Sequence, residues 1–224
     1  MRKMGLLTLG QDPRPDGLFK DVAAVVGPGV EVAEYGALDG LGPDGIAELA
    51  PRGEQSVLVT LLRDGRSPIL DRARFLPHLQ TRLTQIAESG AEGVLLLCTG
   101  DFPELHASCP LIMPHAALYH AVRGLLPTGG TLGVLMPLPE QLRAMVSEFA
   151  ALGVRAVGAT ASPYGGPESI RAAASTLRRN GAALVYMDCF GYRASAKQDV
   201  RKEVACPVVL ARTMAARLTA ELVG

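Results

Sequence analysis

Tryptophan is absent, and five Tyr and five Phe are the only large aromatic residues among 224, so a core built from this chain must be aliphatic. Net charge is missing too: twenty-two basic residues balance twenty-two acidic ones. With no long block of like charge, nothing recruits nucleic acid or an anionic membrane surface. No apolar run approaches the roughly eighteen residues needed to span a bilayer. The basic start Met1-Arg2-Lys3-Met4 precedes only Gly5 to Gly10, too short for a signal segment, so a cytoplasmic chain is expected. Cysteine is sparse, with four in the chain and no Cys-x-x-Cys, which argues for free thiols over a redox pair or a disulfide framework. The four histidines lack zinc-ligand spacing; His115 and His120, five apart, would diverge around a helix, and His106 with Cys109 has no second pair.

What is present is an alternation of short apolar runs with longer helical patterns. Strands are expected over 4–9, 30–35 (an edge strand), 57–62, 67–71, 93–98, 110–113, 132–136, 155–160, 183–188 and 207–210. Helices are expected over 18–26, 77–89 with Pro77 as first residue, 115–126, 140–152, 168–179, 194–204 and 213–222. Arg63-Asp64-Gly65-Arg66 carries a hairpin signal. Strands alternating with helices of ten or more residues mean parallel sheet built from βαβ units. The halves read as variants of one plan, without a residue-level repeat. Gly40-Leu41-Gly42-Pro43-Asp44-Gly45 matches a dinucleotide-binding pattern by letter. However, it does not follow a strand, and Pro43 lacks a backbone donor, so it is read as a loop and a short helix.

Two stretches bring a thiol from a buried run into a glycine turn: Val94-Leu95-Leu96-Leu97-Cys98-Thr99-Gly100 and, 91 residues on, Ala183-Leu184-Val185-Tyr186-Met187-Asp188-Cys189-Phe190-Gly191. In open α/β sheets ligands bind beyond such strand ends. A thiol titrates within a unit or two of neutrality, and its thiolate is both base and nucleophile. Two thiols on opposite faces of one bound acid could take an α-proton from one side and return it from the other. Either cysteine could equally be a small buried hydrophobe, the reading kept for Cys109 and Cys206. Ser162-Pro163-Tyr164-Gly165-Gly166 is a glycine-rich loop that could line a cleft, but it lacks the Lys of a phosphate loop. Arg63 and Arg66 flank the hairpin tip, where an arginine could reach a substrate carboxylate.

From Gly5-Leu6-Leu7-Thr8-Leu9-Gly10-Gln11 through Val59-Thr60-Leu61-Leu62-Arg63-Asp64-Gly65, the Cys98 strand and Met187-Asp188-Cys189-Phe190-Gly191, the chain resembles the AroM family over its whole length. The resemblance implies the wider aspartate/glutamate/hydantoin racemase superfamily. Its implied fold is α/β, with two pseudosymmetric lobes, each a mostly parallel sheet flanked by helices. The expected lobes are residues 1–116 plus 212–224, and 117–211, with the site in the cleft between them. Cys98 and Cys189 would be the catalytic pair, and Thr8, Gln11, Asp12, Thr99, Gly100, Phe190 and Gly191 the substrate-binding residues. Neither a metal nor pyridoxal phosphate nor another cofactor is implied. The partner would be a small carboxylic acid, and a homodimer is compatible with the reading. Two departures stand out: Phe190-Gly191 replaces the usual Thr-His after the second cysteine, and the N-terminal Asp-Ser-Gly is matched only by Gly10-Gln11-Asp12. The expected activity is therefore isomerase- or racemase-like movement of an α-proton. One-cysteine decarboxylation, cis-trans isomerisation and carboxylate binding without turnover are the alternatives.

Overall fold

Apolar runs closed by glycine or proline become strands, and amphipathic stretches become the helices between them. A computed structural model describes residues 2–53 and 56–223; Met1, which opens the basic start, lies outside the described residues. Two compact units emerge, Met1–Pro114 with Ala215–Gly224, and His115–Met214.

The first unit holds β1 (Arg2–Thr8), α1 (Leu18–Val26), β2 (Val30–Gly36), α2 (Pro43–Ala47), β3 (Val57–Val59), β4 (Ile69–Asp71), α3 (Arg72–Glu88), β5 (Gly93–Leu96) and β6 (Leu111–Ile112). Its main sheet is parallel in the order β2-β1-β5-β6, with β2 at the edge. β3 and β4 form the antiparallel hairpin foreseen from Asp64-Gly65, with Leu62 N–H on the Arg66 carbonyl at 2.8 Å. The second unit holds α4 (His115–Leu125), β7 (Thr131–Met136), α5 (Pro139–Ala151), β8 (Ala156–Thr160), α6 (Pro167–Arg179), β9 (Ala182–Met187), α7 (Ala194–Glu203) and β10 (Val208–Leu210). α8 (Ala211–Val223) begins there and ends in the first unit. Its sheet is parallel in the order β10-β9-β7-β8. Among the described residues no helix is long and apolar enough to cross a membrane.

Three local expectations need correction. Helix α3 starts at Arg72, five residues before Pro77, because Asp71 caps it by accepting from Arg74 N–H at 3.0 Å; Pro77 is an interior residue that forgoes one helical bond. The strand expected over 57–62 stops at Val59: Thr60 and Leu62 N–H still reach the Pro68 and Arg66 carbonyls of the returning limb, at 3.4 and 2.8 Å, but the Leu61 carbonyl turns away to accept Gln11 N–H. α8 follows β10 directly, so Arg212 lies in its first turn and not before it.

The two sheets also reveal a repeat at the level of single residues. Leu97 N–H donates to the Leu7 carbonyl as Asp188 N–H does to Leu135, and Ala37 N–H donates to Thr8 as Ala161 does to Met136. Val94 N–H donates to Pro110 as Val185 does to Pro207, both at 2.9 Å. This register superposes Cys98 on Cys189, Cys109-Pro110 on Cys206-Pro207, and Gly42-Pro43-Asp44 on Gly166-Pro167-Glu168. In both Gly-Pro pairs the glycine caps a helix whose first residue is the proline. The separation falls from 124 residues at Gly42/Gly166 to 91 at Cys98/Cys189, because the halves carry insertions of different length, so no fixed period exposes the repeat.

Candidate active site

Each thiol sits two residues beyond its strand, in the first turn after β5 or β9, and not on the strand itself. Strand pairing explains the delivery. The peptide after the last strand residue still bonds to the central strand, through Leu97 to Leu7 at 2.8 Å and Asp188 to Leu135 at 2.9 Å. The next residue is released at the carboxyl edge of the sheet. There the chain folds back so that Gly100 N–H donates to Cys98 Sγ at 3.3 Å and Gly191 N–H donates to Cys189 Sγ at 3.3 Å. An N–H aimed at sulfur favours thiolate over thiol. Both thiols are half-buried, and none of the four cysteines is in a disulfide.

The glycines have steric reasons. A Cβ on Gly191 would lie 2.7 Å from both Pro163 Cγ and Tyr164 Oη, and one on Gly100 would lie 3.0 Å from the Phe102 ring. Only a bare Cα lets these loops close over their neighbours.

In the first unit, Thr8, Gln11 and Asp12 accompany Cys98, Thr99 and Gly100 at the carboxyl edge of adjacent strands β1 and β5. Their side chains have local tasks. Thr8 Oγ1 accepts from Arg14 Nη1 at 2.9 Å, and Gln11 Nε2 donates to the carbonyls of Leu38 and Leu41 at 3.3 and 3.2 Å. Asp12 N–H donates to Asp39 Oδ1 at 2.9 Å. Partial burial raises the pKa of Glu34, and the neighbouring Asp12 carboxyl adds to the rise. The arginine beside Thr8 is Arg14, which sequence reasoning missed. Its side chain is 3% exposed and forms a bidentate pair with the fully buried Asp16 carboxylate, at 3.0 and 2.7 Å. Arg63 and Arg66, considered from the sequence, form exposed pairs with Asp39 and Asp64. Arg14 lies in a proline-rich turn that reads as solvent-exposed, so nothing local signals its burial.

In the second unit the residues around Cys189 differ from their first-unit counterparts. Leu97 becomes Asp188, a buried carboxylate whose Oδ2 accepts from Tyr119 Oη at 2.8 Å. Tyr119 is itself stacked on Phe149, ring centroids 4.4 Å apart. Half-buried Thr99 becomes Phe190, whose ring is only 3% exposed. Burial holds the phenols of Tyr186 and Tyr192 well above their ordinary pKa. The next contribution comes from Asp188 for Tyr186 and from Cys189 for Tyr192. Tyr192 Oη donates to the Ala161 carbonyl at 2.6 Å. Arg212, fully buried, donates through Nε to the Phe190 carbonyl at 2.9 Å and through Nη2 to the Gly191 carbonyl at 3.4 Å. The loop 162–166 closes over Gly191 through Tyr164. The same loop lines a pocket of about 410 Å³ with Pro167, Ile170, Arg193 and Asp199. Tyr119, Asp188 and Arg212 escaped the sequence reading as a group because they come from three distant elements.

Two like-built parallel-sheet units, each presenting a half-buried, N–H-bonded thiol beyond the third strand of its sheet from the same position, define a protein of the aspartate/glutamate racemase type of fold. The structure is similar to glutamate racemase from Bacillus anthracis, with TM-score 0.66, 12% identity, and 99% of this chain and 81% of that chain covered. It is also similar to allantoin racemase from Pseudomonas fluorescens, with TM-score 0.60, 17% identity and 98% and 89% coverage. A further similarity is to maleate isomerase from Pseudomonas putida, with TM-score 0.60, 12% identity and 98% and 92% coverage. No curated protein matches the sequence at a significant level. Residues 4–223 match the family described as AroM protein, and the chain belongs to that family.

Proposed function

We propose that this protein is an isomerase- or racemase-like enzyme that moves the α-proton of a small carboxylic acid without an added cofactor, with Cys98 and Cys189 as opposed acid and base. The observation that carries the reading is the repeated thiol geometry: in each unit a sulfur two residues past the same strand accepts an N–H at 3.3 Å. Cys109 and Cys206 share a register as well, so it is the N–H on each of the two sulfurs that favours this reading: a two-base proton transfer requires two equivalent thiols, one ionised and one protonated. The small carboxylic acid would rest on the backbone N–H groups of the thiol loops, with Thr8, Gln11, Asp12, Thr99, Gly100, Phe190 and Gly191 as the surrounding residues. Catalysis would take place in a cytoplasmic setting and involve no nucleic acid or membrane.

The test is α-hydrogen exchange in deuterated water with a panel of chiral small acids, followed by NMR and chiral chromatography. Wild-type protein should exchange at least one acid, and Cys98→Ala and Cys189→Ala should each lower the rate at least about 100-fold, as expected for losing a general acid or base. Exchange that survives both substitutions would refute the assignment. Loss with only one substitution would favour single-thiol chemistry, decarboxylation or cis-trans isomerisation, a reading that the replacement of Leu97 and Thr99 by Asp188 and Phe190 also favours.

A further inference from the structure

The Phe190 carbonyl and the Gly191 N–H belong to one peptide group. Arg212 Nε donates to its oxygen at 2.9 Å, and its N–H donates to Cys189 Sγ at 3.3 Å. A guanidinium on the carbonyl draws electron density toward oxygen and leaves the N–H a stronger donor, and linked hydrogen bonds strengthen one another in a low-dielectric interior. Arginine is suited to this place because its planar fork also reaches the Gly191 carbonyl, and because it stays charged when buried. By the Pro110/Pro207 register the position equivalent to Arg212 is His115, the first residue of α4, whose imidazole lies 3.2 Å from Glu148.

We propose that Arg212 is a positioning residue that polarises the Phe190–Gly191 peptide, so that this peptide holds Cys189 in place and favours its thiolate. The inference rests on Cys189 being a working thiol. The charged and titratable groups around it act in both directions. Asp188, just past the end of β9, opposes the thiolate, and Tyr119 of α4 donates to that carboxylate. Burial keeps Tyr186 of β9 and Tyr192 neutral beside it, Tyr164 covers Gly191, and Arg193 stands at the N-cap position of α7 without a side-chain capping bond. Arg212 is the cation bonded to the peptide that touches sulfur.

The native full-length protein supplies the first measurement. Over about pH 5 to 10, bracketing the free-cysteine value of about 8.5, iodoacetamide alkylation of each cysteine is followed by peptide mass spectrometry. The Gly191 amide and Arg212 Nε–H proton resonances are followed by NMR over the same range. Both resonances should move with the midpoint of Cys189 alkylation. A stationary Arg212 Nε–H would mean a purely structural side chain and overturn the proposal.

Arg212→Gln should raise the Cys189 midpoint by about one unit and slow its alkylation at pH 7 about ten-fold, and Arg212→Lys should recover part of this. Cys98, Cys109 and Cys206 should react as before. Should Arg212→Gln unfold the second unit, the native titration decides alone. Asp188→Asn should move the Cys189 midpoint the other way. An unmoved midpoint in the folded variants would overturn the role of Arg212 while leaving the proposed activity untouched. Absence of exchange with every acid would count against that activity while leaving these titrations as they are.

Discussion

Replacing Gly191 by alanine adds a single methyl group at the point where the second thiol loop is most tightly held. That methyl would lie 2.7 Å from Pro163 Cγ, 2.7 Å from Tyr164 Oη and 2.9 Å from Tyr164 Cζ, where an ordinary contact needs at least 3.4 Å. The tyrosine can swing, but the proline ring cannot, so the loop itself must give way. Overpacking of this kind costs about 1–3 kcal/mol. Gly191 does not have a positive φ, so alanine also gains about 0.4–1 kcal/mol from a stiffer unfolded chain, and the net loss is about 1.5 kcal/mol. With a urea m-value of about 2 kcal/mol/M, the unfolding midpoint should fall by about 0.7 M. Gly165 is the control: it lies in the neighbouring loop, has no positive φ, and its added Cβ would meet nothing nearer than 3.5 Å. Gly165→Ala should therefore leave the midpoint unchanged or raise it slightly. Equal midpoints for the two variants would refute the claim that close packing of Pro163 and Tyr164 demands glycine after the second thiol.

Other substitutions probe the first unit. Asp16→Asn strips the buried Arg14 guanidinium of its bidentate carboxylate, and should cost about 3 kcal/mol in denaturant unfolding, as breaking a buried pair does; a loss below about 1 kcal/mol would show that Arg14 is held by other means. Glu34 has its pKa raised above the ordinary 4.5, so the folded protein holds this proton more tightly than the unfolded chain. Its contribution to stability is complete below about pH 4.5 and is lost as the pH rises through the elevated folded value. Glu34→Gln should thus raise stability at neutral pH by a few tenths of a kcal/mol, after allowance for solvent screening, and leave it unchanged near pH 4. The opposite pattern in parallel melts would exclude a repulsive pairing with Asp12.

The sequence and the structure agree most closely where local chemistry is decisive. α1 spans the expected residues because glycines close both of its ends, and Asp64-Gly65 yields its hairpin. They part at Pro77, where an N-cap six residues upstream, Asp71, outweighed a proline that reads equally well as a helix start. The candidate thiols were readable because a small polar residue between an apolar run and a glycine has few other reasons to be there. The groups around them were not. Arg14 and Arg212 are charged residues in stretches that ordinarily face water, and their burial depends on partners from elsewhere in the fold.

The amino-acid order by itself determined the α/β class, the parallel character of the sheets and the two thiol turns, since these depend on periodicity and turn chemistry within a few residues. Only the tertiary structure decided that Cys98 and Cys189 occupy the same register of two like sheets, because equivalence is set by strand pairing and not by spacing along the chain. It alone joined Arg212 to the Phe190–Gly191 peptide and Tyr119 to Asp188, contacts that exist once the first turn of α8, α4 and the turn after β9 are packed in one unit.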